Sequence, residues 1–220
     1  MKKIDTILFD LDGTLIDTNE IIIKSYQFAF HTHFPNVKLS RNEIIDRIGP
    51  PLETIFNMYT NSPFVVSAAI DSYRNYYVKY EANYHSLYPG VYDGVKKLKE
   101  LGYNLGIVTS KFKQAAMPSF KHYGLDKYFD VFIALDDVKE PKPSAEPVIK
   151  ALAKFPGYTG AIMIGDNQGD ILSGKNANIY SAGVAWSIKG VPHLNEVNPD
   201  YMLFSMNDLI KIVNRLNEEA

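Results

Sequence analysis

Apolar and polar positions follow two rhythms along this chain. In the first, short apolar runs end abruptly at a polar residue. Thr6-Ile7-Leu8-Phe9 stops at Asp10, Tyr103-Asn104-Leu105-Gly106-Ile107-Val108 at Thr109, and Ala161-Ile162-Met163-Ile164-Gly165 at Asp166. Val131-Phe132-Ile133-Ala134-Leu135 has the same character, Ser181-Ala182-Gly183-Val184-Ala185-Trp186 is weaker, and Tyr201-Met202-Leu203-Phe204 suits a short edge strand. Runs this short and this apolar fit strands covered on both faces. Between them the period becomes helical. Val91, Val95, Leu98 and Leu101 share one face, with Gly102 as a stop, and Gly124 closes the segment after Gln114 in the same way. Ser144 is placed to cap a helix carrying Val148, Ile149 and Leu152, and Ser205 with Asp208 forms a capping-box pair before the last helix. Strands alternating with helices predict βαβ units, a parallel sheet and a doubly wound α/β fold.

One stretch breaks the alternation. Successive strands end at Asp10 and Thr109, whereas a crossover needs only about 30 residues. The excess, residues 16–84, is patterned as helix. Asp17 with Glu20 opens an amphipathic run containing Ile21, Ile22, Tyr26 and Phe30; Ser40 with Glu43 opens another; Pro51 opens a third with Leu52, Ile55, Phe56 and Tyr59 on its apolar face. The tyrosine-rich segment 63–84 is again helical in pattern. The prediction is an α/β core domain over residues 1–15 and 87–220 with a helical cap domain inserted over residues 16–86, hinged near 15–17 and 86–89.

Composition narrows the function classes. The chain has 220 residues, 46% of them hydrophobic, enough to build a core without disulfides or structural metal. It has no cysteine, which excludes disulfides, thiolate catalysis and cysteine–zinc sites. A net charge of −2 predicts no general attraction to nucleic acid or to an anionic membrane. Asp5, Asp10 and Asp12 interrupt any apolar stretch after Lys2 and Lys3, and no window approaches the ~18 apolar residues of a membrane span. A cytoplasmic protein is the simplest expectation.

In open α/β sheets ligands bind at the carboxyl ends of the strands, so the residues that follow each run matter most. After the first come Asp10-Leu11-Asp12-Gly13-Thr14, two carboxylates that an extended turn can converge on one face, with a glycine that permits a tight backbone. After the second come Thr109, Ser110 and Lys111; after the third, Lys142 between Pro141 and Pro143; after the fourth, Gly165-Asp166-Asn167-Gln168-Gly169-Asp170. Each has an ordinary reading. Asp and Gly form turns, Thr or Ser caps a helix (the commoner role for Thr109 taken alone), and lysine is usually solvated. Together they require four coincidences on one sheet edge. As a set they supply what phosphoryl transfer needs: carboxylates for a divalent cation and a nucleophile, a hydroxyl for positioning, and an ammonium for charge.

The ordered set of Phe9-Asp10-Leu11-Asp12-Gly13-Thr14-Leu15, Thr109, Lys142 and Gly165-Asp166 with Asp170 resembles the haloacid dehalogenase-like phosphohydrolases over the whole chain, the helical insert standing where that family carries its cap. Ile48-Gly49-Pro50-Pro51-Leu52 and Gly183-Val184-Ala185-Trp186 resemble its phosphoglycolate phosphatase branch. Leu135-Asp136-Asp137-Val138, Gly165-Asp166-Asn167 and Lys189-Gly190 after Trp186 resemble the inorganic pyrophosphatases of that branch. The resemblance implies Asp10 as nucleophile and Asp12 as general acid and base. It further implies Mg²⁺ held by Asp10, the Asp12 carbonyl and Asp166, with Thr109 and Ser110 on the phosphoryl group. On the same resemblance Lys142 would neutralise charge, supported by Asp170 and Asn167. The implied substrate is a small phosphate compound, inorganic pyrophosphate or phosphoglycolate, with a sugar phosphate or nucleotide as the alternative. Arg47, Gly49 and Lys111 are candidates for specificity.

Two readings of another class stand beside this one. Gly169-Asp170-Ile171-Leu172-Ser173-Gly174-Lys175 matches the G-x-x-x-x-G-K of a nucleotide-binding P-loop, although Asn176 replaces the Ser or Thr that binds the metal. A receiver-type signalling module phosphorylated on aspartate shares the sheet type and the acid, Thr and Lys set, but lacks the large insert.

Overall fold

The structure, a computed structural model, describes residues 3–219; Met1, Lys2 and Ala220, which the sequence reading assigns to the core domain, lie outside the described residues. The strands are β1 (Thr6–Phe9), β2 (Ile16–Asp17), β3 (Ser86–Leu87), β4 (Asn104–Val108), β5 (Val131–Ile133), β6 (Ala161–Gly165), β7 (Tyr180–Val184) and β8 (Tyr201–Leu203). The helices are α1 (Asn19–His33), α2 (Arg41–Asp46), α3 (Leu52–Asn57), α4 (Pro63–Tyr80), α5 (Val91–Glu100), α6 (Lys113–His122), α7 (Glu146–Leu152), α8 (Gln168–Asn176), α9 (Gly190–Asn195) and α10 (Met206–Glu218). The chain divides into two compact units, Met1–Ile16 with Leu87–Ala220, and Asp17–Ser86.

The larger unit is built on a six-stranded sheet of order β5-β4-β1-β6-β7-β8, parallel throughout. This is the doubly wound α/β arrangement that the apolar runs predict. Side chains of alternate residues point to opposite faces, and the two faces carry separate cores. Ile7, Phe9, Leu105, Ile107, Ile162 and Ile164 pack with Val95 and Leu98 of α5, Phe120 of α6 and Leu209 and Val213 of α10. Leu8, Val108 and Met163 pack on the other face with Val148, Ala151 and Leu152 of α7. Ile7, Leu8 and Phe9 are all fully buried, and each such side chain contributes roughly 1.5–3 kcal/mol. Burial on both faces is why β1 shows no polar alternation.

β1 lies centrally, with Phe9 beside Ile107 of β4 and Ile164 of β6. The chain moves outward from β1 through β4 to β5, then returns to place β6 on the other side of β1. The carboxyl end of β1 is therefore the topological switch point, where such sheets open a crevice.

The smaller unit is helical. Tyr26 and Phe30 of α1 meet Phe34, Phe56, Tyr59 and Tyr73, with Tyr26–Tyr73 and Phe30–Tyr59 ring centroids both 4.9 Å apart at steep angles. Such edge-on pairs favour aromatic rings beyond their area burial. Ser40 and Glu43 form a full capping box at α2, and Pro51 precedes α3 as its N-cap. Two starts differ in detail from the sequence reading. Thr18 is the N-cap of α1, while Asp17 accepts the Asn19 N–H from β2. Ala145 is the N-cap of α7, while the Ser144 hydroxyl accepts the Glu146 N–H at 3.2 Å. Both hydroxyl and carboxylate still satisfy a first-turn N–H, so the helix boundary moves by one residue without leaving that donor orphaned. No described helix is long and apolar enough to cross a membrane.

Candidate active site

The loop after β1 is a closed turn. Gly13 N–H donates to the Ile16 carbonyl at 2.8 Å, and Leu15 and Ile16 N–H both donate to the Leu11 carbonyl. Gly13 has φ +81°, and a Cβ there would stand 2.6 Å from Asp166 Cγ. Only glycine fits, because the backbone is left-handed and the neighbouring carboxylate fills the space. Thr14 Oγ1 donates to Asp166 Oδ1 at 3.3 Å, so the first and fourth strand-end loops abut. At the end of β6, Gly165 likewise leaves room for the Asp170 side chain.

Lys142 reaches into this crevice. Its side chain is 6% exposed, which overturns the ordinary expectation of a solvated lysine. Its ammonium donates to Asp10 Oδ1 at 2.8 Å, to the Val108 carbonyl at 3.0 Å and to Asp170 Oδ1. An ammonium has three protons, so all three are directed within the site. Asp170 also accepts the Asn167 N–H on its other oxygen at 3.0 Å. Each of its oxygens thus accepts a hydrogen bond, one from the lysine and one from the start of α8.

Asp10, Asp166 and Asp170, all buried, each offer a carboxylate oxygen within 4.8 Å of the others. Burial, with Asp170 and Asp12 adding and Lys142 opposing, raises the Asp10 carboxyl from 3.8 to about 7. Burial, then Asp10 and Asp170, holds the Asp166 carboxyl well above its ordinary value. Burial acts to lower Lys142, but Asp10 and Asp170 outweigh it and the ammonium lies above its usual range. Three carboxylates against one ammonium leave two negative charges when all are ionised, and a buried excess of that kind calls for a counter-charge. An all-oxygen donor set with a deficit of two positive charges fits a hard divalent cation.

The other predicted residues fall as follows. Asp12 Oδ1 faces Lys111 Nζ at 3.3 Å, both side chains being largely buried. Thr109 is buried at the end of β4, and its hydroxyl accepts the Lys111 N–H at 3.2 Å. It is not a helix cap, because α6 begins at Lys113 with Phe112 as its N-cap. Ser110, half-buried, follows Thr109 at the same edge. Arg47 and Gly49 belong to the helical unit, where the Arg47 guanidinium donates to Tyr59 Oη at 2.5 Å and to the Glu43 carbonyl. The G-x-x-x-x-G-K segment lies inside α8, and Lys175 donates to the carbonyls of Val197 and Asn198. A phosphate-cradling loop is therefore absent from that segment, and the P-loop reading fails.

Two contacts at this edge come from residues to which the sequence reading assigned no role in the site. Trp186 Nε1 donates to the Thr14 carbonyl at 3.1 Å and Ser187 Oγ to the Asp166 carbonyl at 2.7 Å. The same strand-end rule that singled out Asp166 points to them, since they follow β7.

The haloacid dehalogenase-like hydrolase profile matches residues 7–184. The chain is 44% identical over 212 residues to the pyrophosphatase PpaX of Halalkalibacterium halodurans, covering 96% of this chain and 97% of that one. It is 41% identical over 216 residues to the pyrophosphatase PpaX of Bacillus cereus, covering 98% and 99%. The crystal structure of a predicted phosphatase from Clostridium acetobutylicum superposes with a TM-score of 0.84 at 27% identity, covering 97% of this chain and 99% of that one. With the profile spanning most of its length and relatives above two-fifths identity along nearly all of it, the chain belongs to the haloacid dehalogenase-like hydrolase family and is a phosphohydrolase of that family.

Proposed function

We propose that this protein hydrolyses inorganic pyrophosphate, with Mg²⁺ as cofactor and Asp10 as a covalent nucleophile. The observation that carries the reading is the convergence of Asp10, Asp166, Asp170 and Lys142 at the switch point of the sheet. The two pyrophosphatase relatives favour pyrophosphate among small phosphate substrates.

Asp10 and Asp166, with the Asp12 carbonyl on the same loop as Asp10, would hold the cation, while Asp170 engages the Lys142 ammonium and the Asn167 N–H. When bound, the cation offsets the carboxylate charge and polarises a phosphoryl oxygen. A carboxylate oxygen of Asp10 attacks phosphorus, and the bond from phosphorus to the leaving oxygen breaks. Asp12 gives its proton to that oxygen. Asp12 then takes a proton from water, whose oxygen attacks the phosphorylated Asp10 at phosphorus and releases phosphate with the Asp10 carboxylate restored. Lys142 lowers the charge on Asp10 and on the transferring group, and Asp170 aims it. Thr109 and Ser110 position the phosphoryl oxygens.

The departing group of pyrophosphate is itself an anion, and Lys111 stands beside Asp12, where it departs. With Lys111, Arg47 and Gly49 of the helical unit form the proposed specificity set. An unchanged substrate profile in Arg47→Ala removes that residue from the set.

The deciding experiment is a phosphate-release screen of pyrophosphate, phosphoglycolate, sugar phosphates and nucleotides with and without Mg²⁺. Pyrophosphate is expected to be the best substrate, Mg²⁺ to be required, and Asp10→Asn to abolish turnover. Full turnover by Asp10→Asn removes the nucleophile assignment.

A further inference from the structure

We infer that Trp186 and Ser187, the consecutive residues after β7, are positioning residues that brace the Asp10 and Asp166 loops and so set the affinity of the site for its divalent cation. The inference rests on the reading of Asp10 and Asp166 as metal-holding residues.

The acids stand on neighbouring strands but on separate loops, and strand pairing ends before the carboxylates begin. Phe9 is paired with Ile164, and Asp10 N–H donates to the Ile164 carbonyl at 2.8 Å. Beyond that point, something else must fix the two loops. β7 lies next to β6, with Gly165 beside Gly183, so the residues after Val184 emerge on the same edge. The chain turns there through the Ser187 N–H, which donates to the Val184 carbonyl at 3.1 Å.

The turn sends its two side chains to the two loops. Ser187, 7% exposed, gives its one hydroxyl proton to the Asp166 carbonyl at 2.7 Å and accepts the Lys189 N–H at 3.2 Å. Trp186 gives its one indole proton to the Thr14 carbonyl at 3.1 Å. Its ring packs beside Tyr88, with centroids 5.9 Å apart, which limits where the indole N–H can point. Thr14 in turn gives its hydroxyl proton to the Asp166 carboxylate at 3.3 Å. Asp166 is therefore held by its main chain through Ser187 and by its side chain through Thr14, and Thr14 is itself held by Trp186. Neither Trp186 nor Ser187 contacts the carboxylate oxygens that would face a cation or substrate, so they act through Asp166 and Thr14.

A small hard cation tolerates little error in its oxygen ligands, and loss of an outer-shell partner typically costs 10–100-fold in metal affinity. A merely structural pair of hydrogen bonds would instead lower stability and leave the cation's affinity untouched.

The test is calorimetric titration of Mg²⁺ into the intact protein and into Ser187→Ala, Ser187→Thr and Trp186→Phe, with the pH-7.5 melting temperature of each recorded. Ser187→Ala and Trp186→Phe are expected to weaken Mg²⁺ about tenfold, with kcat lowered and the pyrophosphate KM changed less than twofold. Ser187→Thr, which keeps the hydroxyl, restores most of the affinity. Trp186→Phe keeps the ring against Tyr88 and loses only the donor, so it decides the matter if Ser187→Ala does not fold. Wild-type affinity in Trp186→Phe and in Ser187→Ala, whatever their melting temperatures, overturns the inference. Absence of Mg²⁺ binding by the unaltered protein instead overturns the metal reading on which it stands.

Discussion

Lys142 Nζ lies 2.8 Å from Asp10 Oδ1, although 132 residues separate them in the chain. The pair is nearly inaccessible to solvent and shares its ammonium with Asp170. Removing one partner of such a pair leaves charge buried without compensation, which costs about 3–5 kcal/mol. Lys142→Met is expected to lose about that much stability in urea unfolding, together with nearly all phosphate release. A midpoint equal to that of the parent protein would contradict the pairing described here.

The acid cluster sets a pH dependence with a definite sign. The Asp10 carboxyl is raised to about 7 by burial first, and the Asp166 carboxyl is raised as well. Between their ordinary values near 4 and those raised values, the folded chain binds more protons than the unfolded chain. Stability therefore falls as pH rises across that window and levels off above it. The contribution from Lys142, also raised, is present throughout this range and is lost only at strongly alkaline pH. Without divalent cations the melting temperature should fall from pH 5 to pH 7.5. Added Mg²⁺ should raise it more at pH 7.5 than at pH 5, because binding favours the ionised carboxylates. A melting temperature that climbs with pH in a chelator would show that the cluster is not strained by its own charge.

Gly13 combines a left-handed backbone with a carboxylate where its Cβ would be. A non-glycine residue in such a conformation costs on the order of 1–3 kcal/mol, and the methyl group must also push Asp166 aside. Gly13→Ala is expected to shift the urea midpoint downward and to lower turnover more than tenfold. Retention of full turnover would mean that the loops do not abut as closely as described.

Lys111 is the cation beside Asp12. A charge-assisted contact to a second phosphate is worth about 1.5–3 kcal/mol, or roughly tenfold to a hundredfold in binding. Lys111→Met should raise the KM for pyrophosphate by at least tenfold while changing that for p-nitrophenyl phosphate, which has no second phosphate, by far less. Equal changes for both substrates would assign Lys111 to the transferred group instead.

Much of this was legible along the chain. The apolar runs at residues 6–9 and 161–165 mark strands because burial on both faces removes polar alternation. The capping box of Ser40 and Glu43 reads directly because its partners are three residues apart. Thr109 by itself left two roles open, since a hydroxyl after a strand has the same local signature whether or not a helix follows at once; here Phe112 takes the cap. The G-x-x-x-x-G-K match ending at Lys175 could be weighed only in part, because a short motif carries no information on whether it lies in a loop or inside a helix such as α8; Asn176 after it already spoke against a P-loop.

By itself the sequence determined which residue types stand at each strand end, and hence the α/β class and the kind of chemistry, because local pattern fixes local structure. Only the tertiary structure decided that Lys142 is enclosed by Asp10 and Asp170, and that Trp186 and Ser187 reach the Thr14 and Asp166 carbonyls. Those contacts depend on strand order and on which side chains burial forces together across long stretches of chain, and neither is encoded in any single window of residues.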